Sequence, residues 1–335
     1  MPSPDRPDPA PPAPDPAATG PAATGPAATG SAPTGSAEAA SDSMRYRVRH
    51  ATAYDYGEDV PVSHHLLHLT ARAHPRQRIR RSVLTVEPAP AVRSDRTDYF
   101  GNTVTYVAVQ EPHRTFSIVA ESEVEVHDLP APDIAATPPW EQVRDSLRGL
   151  SGPEDGPEIT QYCFDSALVM SSPELLDYAR KSFVPGRPAA AAVVDLMHRV
   201  HHDFAFDPEA TTVATPMAEV MRKRRGVCQD FAHVIVGCVR AVGLPARYVS
   251  GYLRTLPPPG QPRLVGADVS HAWASVWCGP AGWLDVCPTN DCIVNRDFIT
   301  VAWGRDYDDV SPARGILVGG AGHGLTVSVD VEPLD

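Results

Sequence analysis

The strongest constraint on this chain is one apolar helical run from about Cys228 to Val242. Phe231, Ile235, Cys238, Val239 and Val242 recur along it at helical spacing. Gly226 precedes it and Gly243-Leu244-Pro245 ends it, the usual order of a glycine stop followed by a proline that cannot continue the helix. Strand-like segments follow at once: Ala246 to Tyr252, His271 to Trp277, and Trp283 to Val286, the last two joined by the turn Cys278-Gly279-Pro280-Ala281-Gly282. A helix this apolar must be covered, and the strands beside it are the nearest cover. The expected fold class is therefore α+β, with this helix packed on an antiparallel sheet.

The amino-terminal part obeys a different period. Residues 1–43 contain no Trp, Tyr, Phe, Leu, Ile or Val and repeat variants of Ala-Ala-Thr-Gly-Pro. Such a segment buries too little apolar surface to offset its ordering entropy, so a disordered extension is expected there. Strand alternation begins after Met44, itself a candidate translation start, and runs through Ser82–Val86, Thr103–Val109 and Phe116–Val126. Residues 44–128 thus read as an antiparallel β domain with one wet face. Residues 129–172, rich in Pro and Gly, read as a linker with a short helical piece near Trp140. Residues 173–335 read as the core domain, opened by helices at Ser172-Pro173-Glu174, Pro188 and Thr215-Pro216 and closed by carboxy-terminal strands.

Composition excludes several functions. The formal net charge of −12 argues against a nucleic-acid surface. Arg222-Lys223-Arg224-Arg225 reads as a solvated helix end, or else as an anion-binding rim. The amino-terminal residues offer neither a basic n-region nor an apolar core, so no secretory leader is expected, and no apolar run approaches the roughly 18 residues of a membrane span. A cytoplasmic protein without membrane attachment is expected, its six cysteines reduced. No Cys-x-x-Cys occurs, and neither a metal nor another cofactor is expected. His64, His65 and His68 look like a ligand cluster, but on a strand His65 points away from the other two, so surface or turn roles are expected.

The chemistry lies at Gly226-Val227-Cys228. Backbone N–H groups and the positive helix pole stabilise a thiolate at such a position, and His271, at the head of a strand, can pair with it in space. Taken alone, Cys228 would be a small buried hydrophobe. The glycine, the helix start and the His segment together favour a nucleophile. Cys238 falls on the apolar stripe and is expected to pack. Asp230 complements the dipole, His233 points away from Cys228, and Trp273 and Trp277 share a face as core or cleft wall.

These motifs resemble the bacterial branch of the transglutaminase-like superfamily. The resemblance is carried by Gly226 to Ala232, Gly243-Leu244-Pro245-Ala246-Arg247-Tyr248-Val249-Ser250-Gly251-Tyr252, Ser270-His271-Ala272-Trp273, Pro288-Thr289-Asn290 and Gly304-Arg305-Asp306-Tyr307, with Tyr54-Tyr56, Gln77 and Phe100-Gly101-Asn102 in the β domain. It implies a papain-like core with Cys228 as nucleophile, its N–H as an oxyanion donor and His271 as base. It also implies an aspartate just ahead of Pro-Thr-Asn, where this chain has Cys287. Asp285 lies two residues earlier on the same strand face and is a candidate third group. Asn290 is a further candidate, and Cys287 itself a replacement.

The expected function is a thiol enzyme that transfers or hydrolyses amide bonds of a peptide or protein substrate. The alternative is a non-catalytic peptide-binding or scaffold module with a degenerate triad. Neither the acyl acceptor nor the oligomeric state is legible.

Overall fold

A computed structural model of the chain describes residues 43–128, 133–147, 156–255 and 270–334. The expected extension before Ser43 and the proline-rich loop at 256–262 lie outside them.

The β domain contains β1 (Ser43–Val60), β2 (Val62–Leu67), β3 (Gln77–Glu87), β4 (Val92–Thr97), β5 (Thr103–Val109) and β6 (His113–His127). The helical part follows with α1 (Trp140–Ser146), α2 (Gly156–Thr160), α3 (Pro173–Arg180), α4 (Ala189–Asp203) and α5 (Met217–Lys223). The minor strands β7 (Ala205–Phe206) and β8 (Arg225–Gly226) lead into α6 (Cys228–Ala241). The rest is strand: β9 (Ala246–Leu253), β10 (Ser270–Trp277), β11 (Trp283–Cys287), β12 (Cys292–Ile293), β13 (Phe298–Gly304), β14 (Ala313–Val318) and β15 (His323–Pro333).

The core sheet runs β12-β11-β10-β9-β13, all antiparallel. One face carries α6, whose stripe of Phe231, Val234, Ile235, Cys238 and Val239 is buried with Leu175 of α3, Leu196 of α4 and Val276 of β10. Burying side chains of this size contributes about 1.5–3 kcal/mol each. Cys238 packs here as its place on the stripe requires. The cap residues behave as the sequence indicates: Ser172 Oγ accepts the Leu175 N–H at 3.2 Å, and Pro188 and Pro216 precede α4 and α5.

Three expectations change. The last strands do not stay with the core. β15 pairs with β1 in the sheet β15-β1-β6-β3, and β14 with β2 in the sheet β14-β2-β5-β4. The segment read as a linker is also partly structural, since Val143, Ile159, Tyr162 and Val169 are buried and Val143 and Val169 belong to the core around α6. Finally, His65 is buried and stacked on Phe116 at 4.0 Å rather than at the surface. His64 instead meets the Tyr106 hydroxyl at 2.7 Å and His68 the Ser311 carbonyl at 3.1 Å, so the three do not converge. Among the described residues no group of three or more His, Cys, Asp or Glu side chains is placed to hold a metal ion.

The two parts are joined by side-chain amides. β13 is an edge strand, and a bare edge exposes unpaired backbone groups. Gln77 Nε2 donates to the Thr300 carbonyl at 2.7 Å while Oε1 accepts the Thr300 N–H at 2.8 Å. Asn102 repeats the pattern on Trp303, donating at 2.8 Å and accepting at 3.0 Å. Each amide thus replaces one peptide of a missing neighbouring strand. Arg72 and Arg247 stack on the Trp303 ring at 3.6 Å and 3.8 Å, closing the joint.

Candidate active site

The site forms where the head of α6 meets β10 and β11. Gly226 is obligatory there, because a Cβ would collide with the Asp230 carboxylate. That carboxylate accepts the Val227 N–H at 2.8 Å and the Thr211 hydroxyl at 2.6 Å, so Asp230 caps the first turn of α6. Burial pushes its pKa up, against the two hydrogen bonds. Cys228 is the first residue of the helix and is half-buried. By helix geometry the N–H groups of that turn lack intrahelical partners and point out of the helix end at which Cys228 stands.

β10 supplies the imidazole. His271 pairs across the sheet with Gly251, whose missing side chain leaves space for the Trp273 ring and the Ile299 carbonyl. His271 is 6 % exposed and lies against Phe298 at 5.9 Å. Its Nε2 is 3.1 Å from the sulfur of Cys287, which is 0 % exposed. The Cys228 thiol also acts on the ring through hydrogen bonding and charge, so two sulfurs bear on one imidazole.

Electrostatics follow from that position. Burial by itself disfavours an imidazolium, but the charge of Cys287 and the hydrogen bonds of Cys228 and Cys287 overcome it and raise His271 to about 10. Cys287 moves the opposite way. Burial opposes its anion, but hydrogen bonds from Cys292, His271 and Asn290 and the imidazolium charge hold it well below a free thiol. Asn290 Nδ2 lies 3.2 Å from both Cys287 Sγ and His271 Nε2. An N–H cannot donate to a ring nitrogen that already carries a proton, so beside an imidazolium the amide bonds to the sulfur. Three donors therefore converge on one buried sulfur.

The structure does not bring Asp285 to His271. Asp285 pairs with Ser275, four residues beyond His271 on β10, and its Oδ2 accepts the Trp273 indole N–H at 3.3 Å. Its charge also acts on buried Arg247. The same-face argument is correct, but the carboxylate has partners nearer than the imidazole, and no bulge shifts β11 against β10. Asn290, a lesser candidate in the sequence, does reach the ring and the sulfur. Cys292 was missed. Its signal was the spacing Cys287-Pro-Thr-Asn-Asp-Cys292, a four-residue turn that sets the two cysteines opposite each other. His233 packs in the core, where its Nε2 accepts the Tyr307 N–H at 3.1 Å.

An α-helix headed by a half-buried cysteine, laid on an antiparallel sheet that presents a buried histidine, defines the papain-like class of α+β folds. A solved structure from Cytophaga hutchinsonii, described as a proposed cysteine protease, shares this architecture, with a TM-score of 0.69 and 20% identity over 88% of this chain and 92% of that one. The chain belongs to the transglutaminase-like superfamily: residues 177–288 match its family model, and residues 46–125 match the bacterial transglutaminase-like N-terminal region. Uncharacterized proteins of Mycobacterium tuberculosis and Mycobacterium leprae are 43% and 32% identical, over 88% and 87% of this chain and 95% and 99% of theirs. A protein-glutamine gamma-glutamyltransferase of Pseudomonas aeruginosa is 35% identical over 103 residues, which is 30% of this chain and 15% of that protein. Among the described residues no helix is long and apolar enough to cross a membrane.

Proposed function

We propose that this chain is a cysteine-dependent enzyme that transfers or hydrolyses acyl groups at amide bonds of a peptide or protein, with Cys228 as nucleophile, His271 as proton carrier and Cys287 in place of the usual aspartate. One observation carries the reading: a buried imidazole on which the helix-head sulfur of Cys228 and a second sulfur supplied with three donors both bear.

A thiolate at Cys287 carries the same single negative charge as an aspartate would, and it faces the ring nitrogen remote from the work. Nδ1 is then the nitrogen that serves Cys228. Attack of Cys228 sulfur on the carbonyl places an oxyanion beside the Cys228 N–H at the positive pole of α6. The imidazolium gives its proton to the departing amine, leaving a thioester, and takes one from the water or amine that resolves it. Hydrolysis is the outcome when water reaches the thioester first. The six free thiols support a reducing, cytoplasmic setting.

Iodoacetamide at near-neutral pH tests the reading. Selective alkylation of Cys228, lost in His271→Ala, supports it. Slow and equal alkylation of all accessible cysteines supports the non-catalytic binding module instead.

A further inference from the structure

We propose that Cys287 and Cys292 form a redox-modification site: a hydroperoxide converts the pair to a disulfide, and the disulfide takes away the anionic partner of His271 and silences Cys228. The silencing rests on the functional reading above, while the disulfide itself stands on geometry.

Cys287 and Cys292 are directly opposed Cα partners across the β11–β12 hairpin. Opposed residues of an antiparallel pair lie about 4.5–5.5 Å apart between Cα atoms, inside the ~4.4–6.8 Å that a disulfide requires. The two thiols already share a hydrogen bond. The hairpin is fixed from outside, because His201 Nδ1 meets the Pro288 carbonyl at 3.0 Å and His198 Nδ1 meets Asp291 Oδ1 at 2.5 Å, both from α4. Asp291 closes the turn at φ 52°, in the left-handed region. Linking the sulfurs therefore asks for side-chain rotation only. Cys292 is half-buried beside Cys287, which is 0 % exposed and lies 3.1 Å from His271 Nε2.

The chemistry balances in two steps. The Cys287 thiolate attacks a peroxide oxygen, the O–O bond breaks, hydroxide leaves, and Cys287 becomes a sulfenic acid. Cys292 sulfur then attacks Cys287 sulfur, the S–O bond breaks, and water leaves with the Cys292 proton. The two thiols lose two electrons to one peroxide. A dithiol reductant reverses the bond by exchange. The linked sulfur carries no charge. Burial then acts on His271 with only Cys228 to oppose it, and the imidazolium is lost near neutral pH.

The test uses the full chain, hydrogen peroxide and iodoacetamide. After stoichiometric peroxide, peptide mapping without reduction should show a Cys287–Cys292 link, Cys228 alkylation should fall about tenfold or more, and dithiothreitol should restore it. Cys292→Ser keeps a hydroxyl donor but cannot form the link. Without Cys292 to resolve it, the Cys287 sulfenic acid should pass on to sulfinic acid under further peroxide, so no Cys287–Cys292 link should map and dithiothreitol should fail to restore the lost alkylation rate. In the unchanged chain, peroxide that yields only sulfinic acid, a link that includes Cys228, or a Cys287–Cys292 link that leaves Cys228 alkylation unchanged each overturns the proposal. If Cys228 is not selectively alkylated in the reduced protein, the functional reading and the silencing fall together, while the mapped link still decides whether the pair is a modification site.

Discussion

Two buried histidines in the same core have opposite fates. His271 on β10 is 6 % exposed and His233 on α6 is 4 % exposed. Burial acts on both in the same direction, against the charged form. His233 is pushed down to about 4. Its Nε2 accepts the Tyr307 N–H at 3.1 Å, a bond only a neutral ring can accept, and its ring packs against Tyr248 at 4.9 Å. Asp306 pulls it upward, but Arg240 pushes it down and burial prevails. His271 meets the Cys287 sulfur at its Nε2, the nearby Asn290 amide turns to that same sulfur, and the ring rises to about 10. Depth does not decide protonation here. The charge and hydrogen-bonding sense of the first neighbour do.

The sharpest way to break this comparison is to remove each ring. His271→Ala should slow Cys228 alkylation by about 100-fold or more, the scale of a lost general acid–base group. His233→Ala should leave the alkylation rate near that of the unchanged protein while costing about 1–3 kcal/mol of stability, because the Tyr307 N–H loses this acceptor and the Tyr248 ring loses a packing partner. Alkylation kinetics and thermal denaturation of both variants check this. Equal loss of alkylation in both would mean that core integrity alone governs Cys228.

The next test exchanges the anion. Cys287→Ala leaves His271 with burial and only one sulfur, so alkylation at neutral pH should fall about tenfold, corresponding to a shift of one unit or more in the ring. Cys287→Asp supplies a carboxylate at the same place and should keep most of the rate. If Asp falls as far as Ala, Cys287 acts through packing rather than charge.

Much of this site was legible in the sequence, because its signals are local. Gly226 before Cys228, the glycine stop at Gly243 and the alternation around His271 fixed the helix head and the strand. Where distant strands decide, local reading failed. Asp285 projects from the correct face, yet Trp273 and Arg247 claim it, and that competition appears only once β9, β10 and β11 are side by side. β15 reads as a carboxy-terminal strand of the core, but it pairs with β1 at the other end of the chain. Gln77 and Asn102 could be quoted as motif residues without a role. Their role as surrogate strand partners needs the bare edge of β13 beside them.

Stability against pH tests the pairing without any activity assay. Unfolded, His271 titrates near 6.5 and Cys287 near 9.0. Between those values the unfolded pair holds one proton, on the thiol, and the folded pair also holds one, on the imidazole, so the pair gives no slope. Above 9.0 the unfolded thiol loses its proton while folded His271 keeps its own up to about 10, and stability falls over that window by about 1.4 kcal/mol per pH unit. Below 6.5 the unfolded pair gains a second proton that the folded pair refuses until Cys287 protonates, so stability falls with acid as well. His233, His50, His65 and His74, all lowered to about 4 by burial, add to the acid loss: their contribution is whole above 6.5 and disappears as pH falls toward 4. Thermal denaturation should therefore show a plateau with losses on both sides. In His271→Gln the acid step should shrink to the share of those four histidines, while an alkaline loss persists, because burial also raises Cys238 and Cys278 to about 12 and keeps their protons on above 9.0. An acid step unchanged in that variant would separate it from the pair.

Asn290 gives the smallest effect and the finest distinction. Its amide is one of three donors to the Cys287 sulfur, and His271 and Cys292 remain when it is cut away. Asn290→Ala should cost about 1 kcal/mol of the stabilisation of the anion, read as a slowing of Cys228 alkylation by less than tenfold. Asn290→Asp preserves the shape but sets a negative charge beside the anion. Like charges disfavour each other, so the Cys287 thiolate should be harder to form, and the variant should differ from Ala in how alkylation depends on pH. Were Asn290 only a structural part of the turn, Asp would behave like the native amide, since the shape is nearly unchanged. If the residue acts through the sulfur, the two substitutions separate, and the pH at which they do so reports the charge on Cys287.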